Sequence, residues 1–199
     1  MLDLTIKEFS YPNTPEVLIL QDIKFSLKEG EHLVILGESG CGKSTLLHLI
    51  YGLIHLEKGR IFWKKRQLLG PQHNIVPGDL AMKLVAQEFN VMPYISVAEN
   101  IATHLSRNNK QQDAARVDQL LEVVALQEHK HTKVKNLSGG QKQRVALAKA
   151  LANAPEVILL DEPFSNIDTF RKNKLRRNVY GYLKENNITC ITATHDSDE

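Results

Sequence analysis

The segment "GESGCGKST", residues 37–45, lies between a short apolar run and a stretch with helical spacing. Its residues Gly37, Gly42, Lys43 and Ser44 match the pattern G-x-x-x-x-G-K-[ST]. The run "EHLVIL" before it is typical of a buried strand, and "STLLHLIYGL" after it is typical of a helix that ends near Gly52. The sequence therefore predicts a strand, a glycine loop and a helix in that order.

This loop has the chemistry of a phosphate cradle. Glycines let backbone N–H groups converge on phosphate oxygens, and the following helix directs its positive end at the same oxygens. Lys43 would place a charge between the outer phosphates, and Ser44 would offer its hydroxyl to Mg²⁺. Cys41 is interpreted as a small filler, because phosphoryl transfer to water needs no covalent intermediate. The predicted binding residues are Gly37, Glu38, Ser39, Gly40, Cys41, Gly42, Lys43, Ser44 and Thr45.

Two consecutive carboxylates end another apolar run, "VILLDEP". In a parallel sheet the carboxyl ends of the strands share one edge, so Asp161 and Glu162 are expected beside the phosphate loop. Asp161 is predicted to hold Mg²⁺, and Glu162 is predicted to take a proton from water. The alternative interpretation is an ordinary acidic pair at a strand end.

Two further polar residues follow predicted strands. His195 comes directly after "ITCITAT", and a γ-phosphate contact is predicted for it, although an isolated histidine can equally be structural. Gln87 ends "MKLVAQ" and is predicted to bind Mg²⁺ or orient water, the alternative being a plain polar loop residue.

A second glycine-rich helix start occurs in "NLSGGQKQRVALAKAL", residues 136–151. It has the pattern of another phosphate-binding helix N-terminus. Only one strand in the chain ends in an Asp-Glu pair, so two complete nucleotide sites within one chain are not expected. The simplest arrangement is that "LSGGQ" binds a phosphate held by a second copy, and other arrangements remain open.

Strands alternate with helices along the chain, which predicts an α/β fold with a mainly parallel sheet covered on both faces. Helical spacing from about Val97 to His131 predicts an inserted helical subdomain at about residues 97–137, with Val117, Leu120, Leu121 and Val124 on one stripe. A later helix is predicted to bury Leu175, Val179, Tyr182 and Leu183 on one face.

The composition is that of an ordinary globular protein. The chain has 199 residues, 42% of them apolar and 24% charged, with a net charge of +2. This charge is too small to indicate a nucleic-acid partner, and the basic run "RKNKLRRN" (171–178) is interpreted as a solvated helix face. No run is long enough to span a membrane, and no signal peptide is recognised, so a cytoplasmic location is expected. The two cysteines suggest no disulfide framework.

Taken together, these motifs resemble the nucleotide-binding domain of an ATP-binding-cassette (ABC) transporter. The chain carries the phosphate loop, Gln87, "LSGGQ" at 137–141, "VILLDEP", "SNID" at 165–168 and His195 in the family's order. The resemblance covers nearly the whole chain. It implies a P-loop NTPase fold with an N-terminal antiparallel β subdomain, a mainly parallel core and an inserted helical subdomain.

The resemblance also implies partners and contacts. Two copies would stack head to tail, with each ATP between one copy's phosphate loop and the other's signature segment, residues Ser138, Gly139, Gly140 and Gln141. Asp168 would touch the partner's site. Gln87 and "EFNVMPYISVAEN" would face a membrane permease subunit. Tyr11 would stack on adenine, although "YPNTP" can equally be a turn beside an ordinary strand.

Two features differ from the family's pattern. Family members usually continue past the switch histidine, whereas this chain stops at "HDSDE", so a trimmed or naturally short C-terminus is expected. The stretch from Trp63 to Asp79 matches the family's usual connection poorly.

The predicted function is an ATPase subunit on the inner face of a membrane, using ATP and Mg²⁺. The patterns "LSGGQKQR" and "PYISVAENI" lean towards importers resembling those for iron, polyamines or sulfate. Alternatives are an efflux or lipoprotein-release cassette, a soluble ATPase of the same fold acting on ribosomes or DNA, and a small-molecule kinase, which would leave "LSGGQ" unexplained.

Overall fold

The computed structural model describes residues 1–74, 76–105, 109–167 and 169–196. The chain forms two compact units. The first unit comprises Met1–Leu84, Glu156–Asp161 and Asn187–Glu199, and the second comprises Val85–Pro155 and Glu162–Asn186. The boundary between the units therefore passes between the two consecutive carboxylates, Asp161 and Glu162.

Strands and helices occur in the order that the sequence predicts, apart from two strands, at Lys58–Trp63 and Arg66–Gln67, that were not predicted. The strands are β1 (Leu2–Phe9), β2 (Leu20–Leu27), β3 (His32–Leu36), β4 (Lys58–Trp63), β5 (Arg66–Gln67), β6 (Met82–Val85), β7 (Val157–Asp161) and β8 (Thr189–Thr194). The α-helices are α1 (Lys43–Tyr51), α2 (Val97–Ala102), α3 (Lys110–Val123), α4 (Gly139–Leu151) and α5 (Thr169–Glu185). Short 3₁₀ turns lie at Gln127–His129 and Val134–Asn136.

An antiparallel sheet of order β2-β1-β4-β5 forms part of the first unit. Leu2, Leu4 and Ile6 on β1 are buried because alternate side chains of a strand point to the same face. The register between β1 and β4 shifts between Ile6 and Glu8. Because of this irregularity, the alternation of buried and exposed side chains moves by one residue, so Phe9 is buried and Glu8 is exposed. The predicted N-terminal antiparallel subdomain is confirmed.

The second sheet has the order β3-β8-β7-β6, and β8 pairs in parallel with both β3 and β7. Every residue of β7 and β8 is buried, as expected for central strands covered on both faces. The prediction that β3 is buried is wrong. His32 and Leu36 are exposed and the three residues between them are only partly buried, because in the described chain β3 pairs with β8 alone and is an edge strand.

Helices α2, α3, α4 and α5 build the second unit. The predicted stripe of α3 is buried, and so are the four residues predicted on one face of α5. Two arginines join α3 and α4 to each other by binding carbonyl groups at the C-terminal ends of these helices, where the carbonyls lack partners within the helix. Arg116 of α3 donates to the carbonyls of Leu151 and Ala152, and Arg144 of α4 donates to those of Val124 and Ala125.

The helices of the described part of the chain include none with both the length and the apolar character of a membrane span. Of the two cysteines, which form no disulfide, Cys41 is exposed and Cys190 is buried.

Candidate nucleotide site

The loop between β3 and α1 has the backbone geometry of an anion cradle. Gly42 precedes α1 with a φ of 97°, in the left-handed region, and a Cβ there would lie 2.8 Å from the Leu20 side chain. A glycine is therefore required at this position. Within the described chain, α1 has no side-chain cap and no acidic residue in its first turn, so its N-terminal N–H groups are available to an anion.

Lys43 is the first residue of α1, and its side chain extends back to the start of the loop. Its side chain is 7% exposed, and its Nζ donates to the carbonyls of Gly37 at 2.7 Å and Glu38 at 2.9 Å. A Cβ on Gly37 would lie 2.6 Å from Cys41 Sγ, so the cysteine occupies the space that a larger residue at position 37 would need. The positive charge of Lys43 therefore lies against the backbone of the loop.

The carboxyl edge of the parallel sheet brings together several predicted residues of the first unit. Asp161 ends β7 and pairs in register with Ala193, which pairs in turn with Ile35 of β3. One step further on, Gly37 N donates to the carbonyl of Thr194 at 3.3 Å, and exposed His195 follows directly. The phosphate loop, Asp161 and His195 thus lie at one edge.

Asp161 is the residue whose environment most clearly fits a metal ion. It is 3% exposed, and its Oδ1 is buried without a hydrogen-bond partner among the described residues. An unpaired buried carboxylate oxygen is costly, and oxygen ligands of this kind are what Mg²⁺ prefers. The hydroxyl of Ser44, at the start of α1 beside Lys43, is chemically suited to the same ion. The residues therefore fit a bound Mg²⁺.

Tyr11 is joined to the helix that follows the phosphate loop. Its hydroxyl lies 2.9 Å from Thr45 Oγ1, and its ring packs edge-on against Phe9 at a centroid distance of 5.2 Å. A turn begins at the same residue, since Thr14 N donates to the Tyr11 carbonyl. The turn is therefore present, and the adenine contact of Tyr11 stays a prediction.

The second predicted cradle lies in the second unit, at the start of α4. Ser138 caps the helix: its Oγ accepts from Gln141 N, and Ser138 N donates to Gln141 Oε1 at 2.8 Å. This reciprocal capping box satisfies two of the free N–H groups. In the described chain, the first turn of α4 contains no acidic residue, so its end keeps a positive potential.

The two glycines of this segment differ in what surrounds them. A Cβ on Gly140 would overlap the carbonyl oxygen of Asn166, so this position must be a glycine. A Cβ on Gly139 would meet no described atom within 4 Å, and Gly139 is exposed. Neither glycine has a positive φ. No contact or backbone angle within the described chain requires a glycine at position 139. A close approach by another molecule would explain why this residue has no side chain.

Glu162 begins the second unit's last segment in a strained conformation, with a φ of 50°. Its carbonyl accepts from Gln143 Nε2 at 2.7 Å and from Ser165 Oγ at 3.0 Å. Gln143 is 2% exposed and was not predicted as a site residue. A signal was present, because Gln143 precedes Leu147 and Leu151 at intervals of four and so lies on the buried face of α4.

The segment after β6 belongs to the second unit and includes exposed Gln87. Asn100, fully buried, organises this loop: its Oδ1 accepts from Met92 N, and its Nδ2 donates to the carbonyls of Met92 and Ser96. Sequence reasoning missed Asn100, since a polar residue inside a helix is usually exposed. Asp168 lies outside the described residues.

The first unit contains the phosphate loop, and the second contains the capped, glycine-rich start of α4. These features define an α/β fold of the P-loop NTPase class. The chain matches the ABC transporter family over residues 20–165, and it belongs to that family.

Relatives with assigned functions support the same family membership. The chain is 40% identical over 186 residues to the Fe(3+) ions import ATP-binding protein FbpC of Haemophilus influenzae, a match that covers 92% of this chain and 53% of that protein. It is 39% identical to the taurine import ATP-binding protein TauB of Roseobacter denitrificans, covering 96% of this chain and 69% of that one. The chain spans about half the length of the iron-import relative.

Among solved structures, the chain resembles the ATP-binding cassette MJ0796 in a dimeric post-hydrolysis state bound to ADP and Pi. The TM-score is 0.82 with 28% identity, and the match covers 100% of this chain and 89% of that one.

Proposed function

We propose that the chain is the ATP-binding and ATP-hydrolysing subunit of an ABC importer, a single nucleotide-binding domain in which residues 97–137 form the helical subdomain. The observation that carries this proposal is the second cradle. Gly139 and the positive end of α4 are exposed and have no acidic neighbour in the helix's first turn, so they are suited to an anion from outside the chain.

The triphosphate of ATP binds to the N-terminus of α1 and to Lys43, and Tyr11 stacks on the adenine. Ser44, Asp161 and Gln87 hold Mg²⁺, which neutralises charge on the phosphates when it is bound. Glu162 accepts a proton from the attacking water. The water oxygen forms a bond to the γ-phosphorus as the bond to the ADP oxygen breaks, and His195 contacts the γ-phosphate.

The signature segment acts in trans on a second copy of the chain. Its residues Ser138, Gly139, Gly140 and Gln141 bind the γ-phosphate of ATP held by the partner's phosphate loop, and Asp168 lies near the same nucleotide. Closure of the dimer is stabilised because helix N-termini and lysines from two copies share one anion. Hydrolysis removes the bridging γ-phosphate, so the two copies separate. The dimeric cassette MJ0796 supports this arrangement.

The permease binds to the loop that follows Gln87, and this contact keeps the subunit on the inner face of the membrane. Met92 is 41% exposed and Tyr94 is 73% exposed, although both are large apolar side chains. Asn100 fixes the backbone beneath them. A rigid loop that presents apolar side chains to solvent is suited to a partner protein.

The direction of transport is import, in keeping with the names of the iron and taurine relatives. The cargo is carried by the permease rather than by this subunit, so its identity is left open.

The experiment is a complementation assay between two inactive variants. Lys43→Ala damages the phosphate loop, and Ser138→Arg damages the signature segment. Each variant alone should hydrolyse no ATP, whereas their mixture should recover activity, because one pocket of the mixed dimer combines two intact halves. Recovery is expected to approach one working pocket per mixed dimer. A mixture that stays inactive while the unmodified chain hydrolyses ATP would overturn the head-to-tail model.

A further inference from the structure

A chain of three hydrogen-bonding groups holds the start of the signature segment. Ser138 N donates to Gln141 Oε1 at 2.8 Å, which closes the capping box of α4. At the other end of the same amide group, Gln141 Nε2 lies 2.9 Å from His129 Nε2, in the 3₁₀ turn Gln127–His129. The His129 imidazole therefore contacts the Gln141 side chain, which is part of the capping box of α4.

The protonation state of the His129 imidazole follows from the hydrogen-bond donors and acceptors around it. A backbone N–H can only donate, so the Gln141 atom that faces Ser138 must be the carbonyl oxygen. The amide nitrogen, which carries two hydrogens and cannot accept, then faces His129 Nε2. A neutral imidazole with its proton on Nδ1 accepts this hydrogen bond, whereas an imidazolium has an N–H on both nitrogens. Protonation of His129 would thus place two donors against each other.

The charged groups near His129 come from several elements. His129 lines a cavity of about 370 Å³ in the second unit, together with Glu128 of its own turn, Arg144 of α4 and Lys174 of α5. The next residue, Lys130, forms an ion pair with Asp118 of α3 at 2.6 Å. Arginine and lysine side chains stay protonated between about pH 5 and pH 8, the range in which a histidine side chain changes charge.

We propose that His129 is a positioning residue for the signature segment and that only its neutral form holds Gln141 in place. The inference rests on the proposed function, in which this segment binds the ATP of a second copy. Protonation releases the Gln141 amide, loosens the capping box and misplaces Ser138 and Gly140. Hydrolysis therefore decreases as the pH falls, through a group that does not contact the nucleotide.

The test compares the pH dependence of ATP hydrolysis between two variants of the same residue. His129→Gln keeps an acceptor near the position of Nε2 but does not titrate, and His129→Lys is a permanent cation. Between about pH 8 and pH 6, we expect the wild-type chain to lose a larger fraction of its activity than His129→Gln. At pH 8, His129→Lys should be about fivefold less active than the wild-type chain, which is the factor that corresponds to the stability cost of about 1 kcal/mol for a lost N-cap.

A matched control separates this effect from other titrating groups. His131→Gln removes a neighbouring exposed histidine and should keep the wild-type profile. His195 is present in every variant, so its contribution to the profiles is common to all of them. Coinciding profiles for the wild-type chain and His129→Gln would overturn the proposal.

Two measurements remain decisive even if the chain hydrolyses no ATP. Hydrogen exchange at the amides of Ser138 and Gln141 should be faster in the wild-type chain than in His129→Gln at about pH 6, and equal at about pH 8. The nitrogen chemical shifts of His129 in the unmodified chain should show the proton on Nδ1 at about pH 8. A proton on Nε2, or equal exchange rates at the lower pH, would refute the role of His129 independently of the proposed function.

Discussion

Gln143 Nε2 donates a hydrogen bond of 2.7 Å to the carbonyl oxygen of Glu162. Gln143 lies one turn into α4, the helix that begins with the signature segment, and Glu162 is the residue proposed to activate water. The Glu162 backbone is held at a φ of 50°, which costs free energy unless neighbouring groups stabilise it. The helix that is proposed to bind the ATP of a second copy thus also holds the residue that is proposed as the general base for the chain's own ATP.

Replacing Gln143 with leucine should lower hydrolysis much more than it lowers nucleotide binding. The substitution keeps the size of the side chain but leaves the Glu162 carbonyl with Ser165 Oγ as its remaining named donor, so the backbone that positions the carboxylate is held less firmly. We expect kcat to fall by about tenfold to a hundredfold, as for a misplaced catalytic group. Steady-state hydrolysis and fluorescent-nucleotide titration measure the two effects.

The control for this variant is Gln111→Leu, at an exposed position of α3. It should leave kcat unchanged. If Gln143→Leu lowers the affinity for ATP and kcat by the same factor, Gln143 has a general structural role and does not specifically position Glu162.

Alanine at the two signature glycines should separate folding from function. Gly140→Ala should lower the free energy of unfolding by about 1–3 kcal/mol, because its Cβ would overlap the Asn166 carbonyl oxygen. Gly139→Ala should leave stability unchanged or raise it by up to about 1 kcal/mol, since alanine favours helix and no described atom is near. Hydrolysis should fall in both variants.

Denaturant unfolding and ATPase assays on the same preparations measure these effects. A Gly139→Ala variant with full activity would contradict a close approach of phosphate at that position.

The two cysteines should react very differently with an alkylating reagent. Burial raises the pKa of the Cys190 thiol to about 12, so its thiolate form is negligible at neutral pH. Cys41 is exposed within the phosphate loop. Mass spectrometry should find Cys41 modified and Cys190 unmodified in the folded chain, and ATP should slow the reaction of Cys41. Unchanged labelling at saturating ATP would argue against nucleotide binding in this loop.

A charge on the exposed loop after Gln87 should uncouple the subunit from its membrane partner. Tyr94→Asp places a carboxylate where the tyrosine ring is 73% exposed, so the fold should tolerate it while a buried contact would not. Hydrolysis by the isolated chain should stay within about twofold of wild type, as for most exposed substitutions. Co-purification with the permease measures the coupling.

The matched control is Tyr180→Asp in α5, which lies against Phe164 and should instead impair folding. If Tyr94→Asp co-purifies with the permease as well as the wild-type chain does, the permease contact lies elsewhere.

Much of the candidate site could be predicted because each of its motifs consists of residues that are close together in the sequence. The phosphate loop, the Asp161–Glu162 pair and the capped start of α4 each depend on backbone preferences and side chains within a few positions. The periodicity of α3 and α5 likewise indicated which of their side chains are buried. Gln143 and Asn100 were missed, since their importance depends on carbonyl groups in other segments.

By itself, then, the sequence determined the order of most strands and helices, the two glycine-rich helix starts and the family to which they point, because local periodicity and glycine geometry need no long-range partner. Only the tertiary structure decided which strand lies at the sheet edge, which carboxylate oxygen is buried without a partner among the described residues, and which side chains hold Glu162 and Gln141. These properties arise from strand register and from packing between segments far apart in the chain. A pattern within one segment cannot encode the atoms that another segment will bring to it.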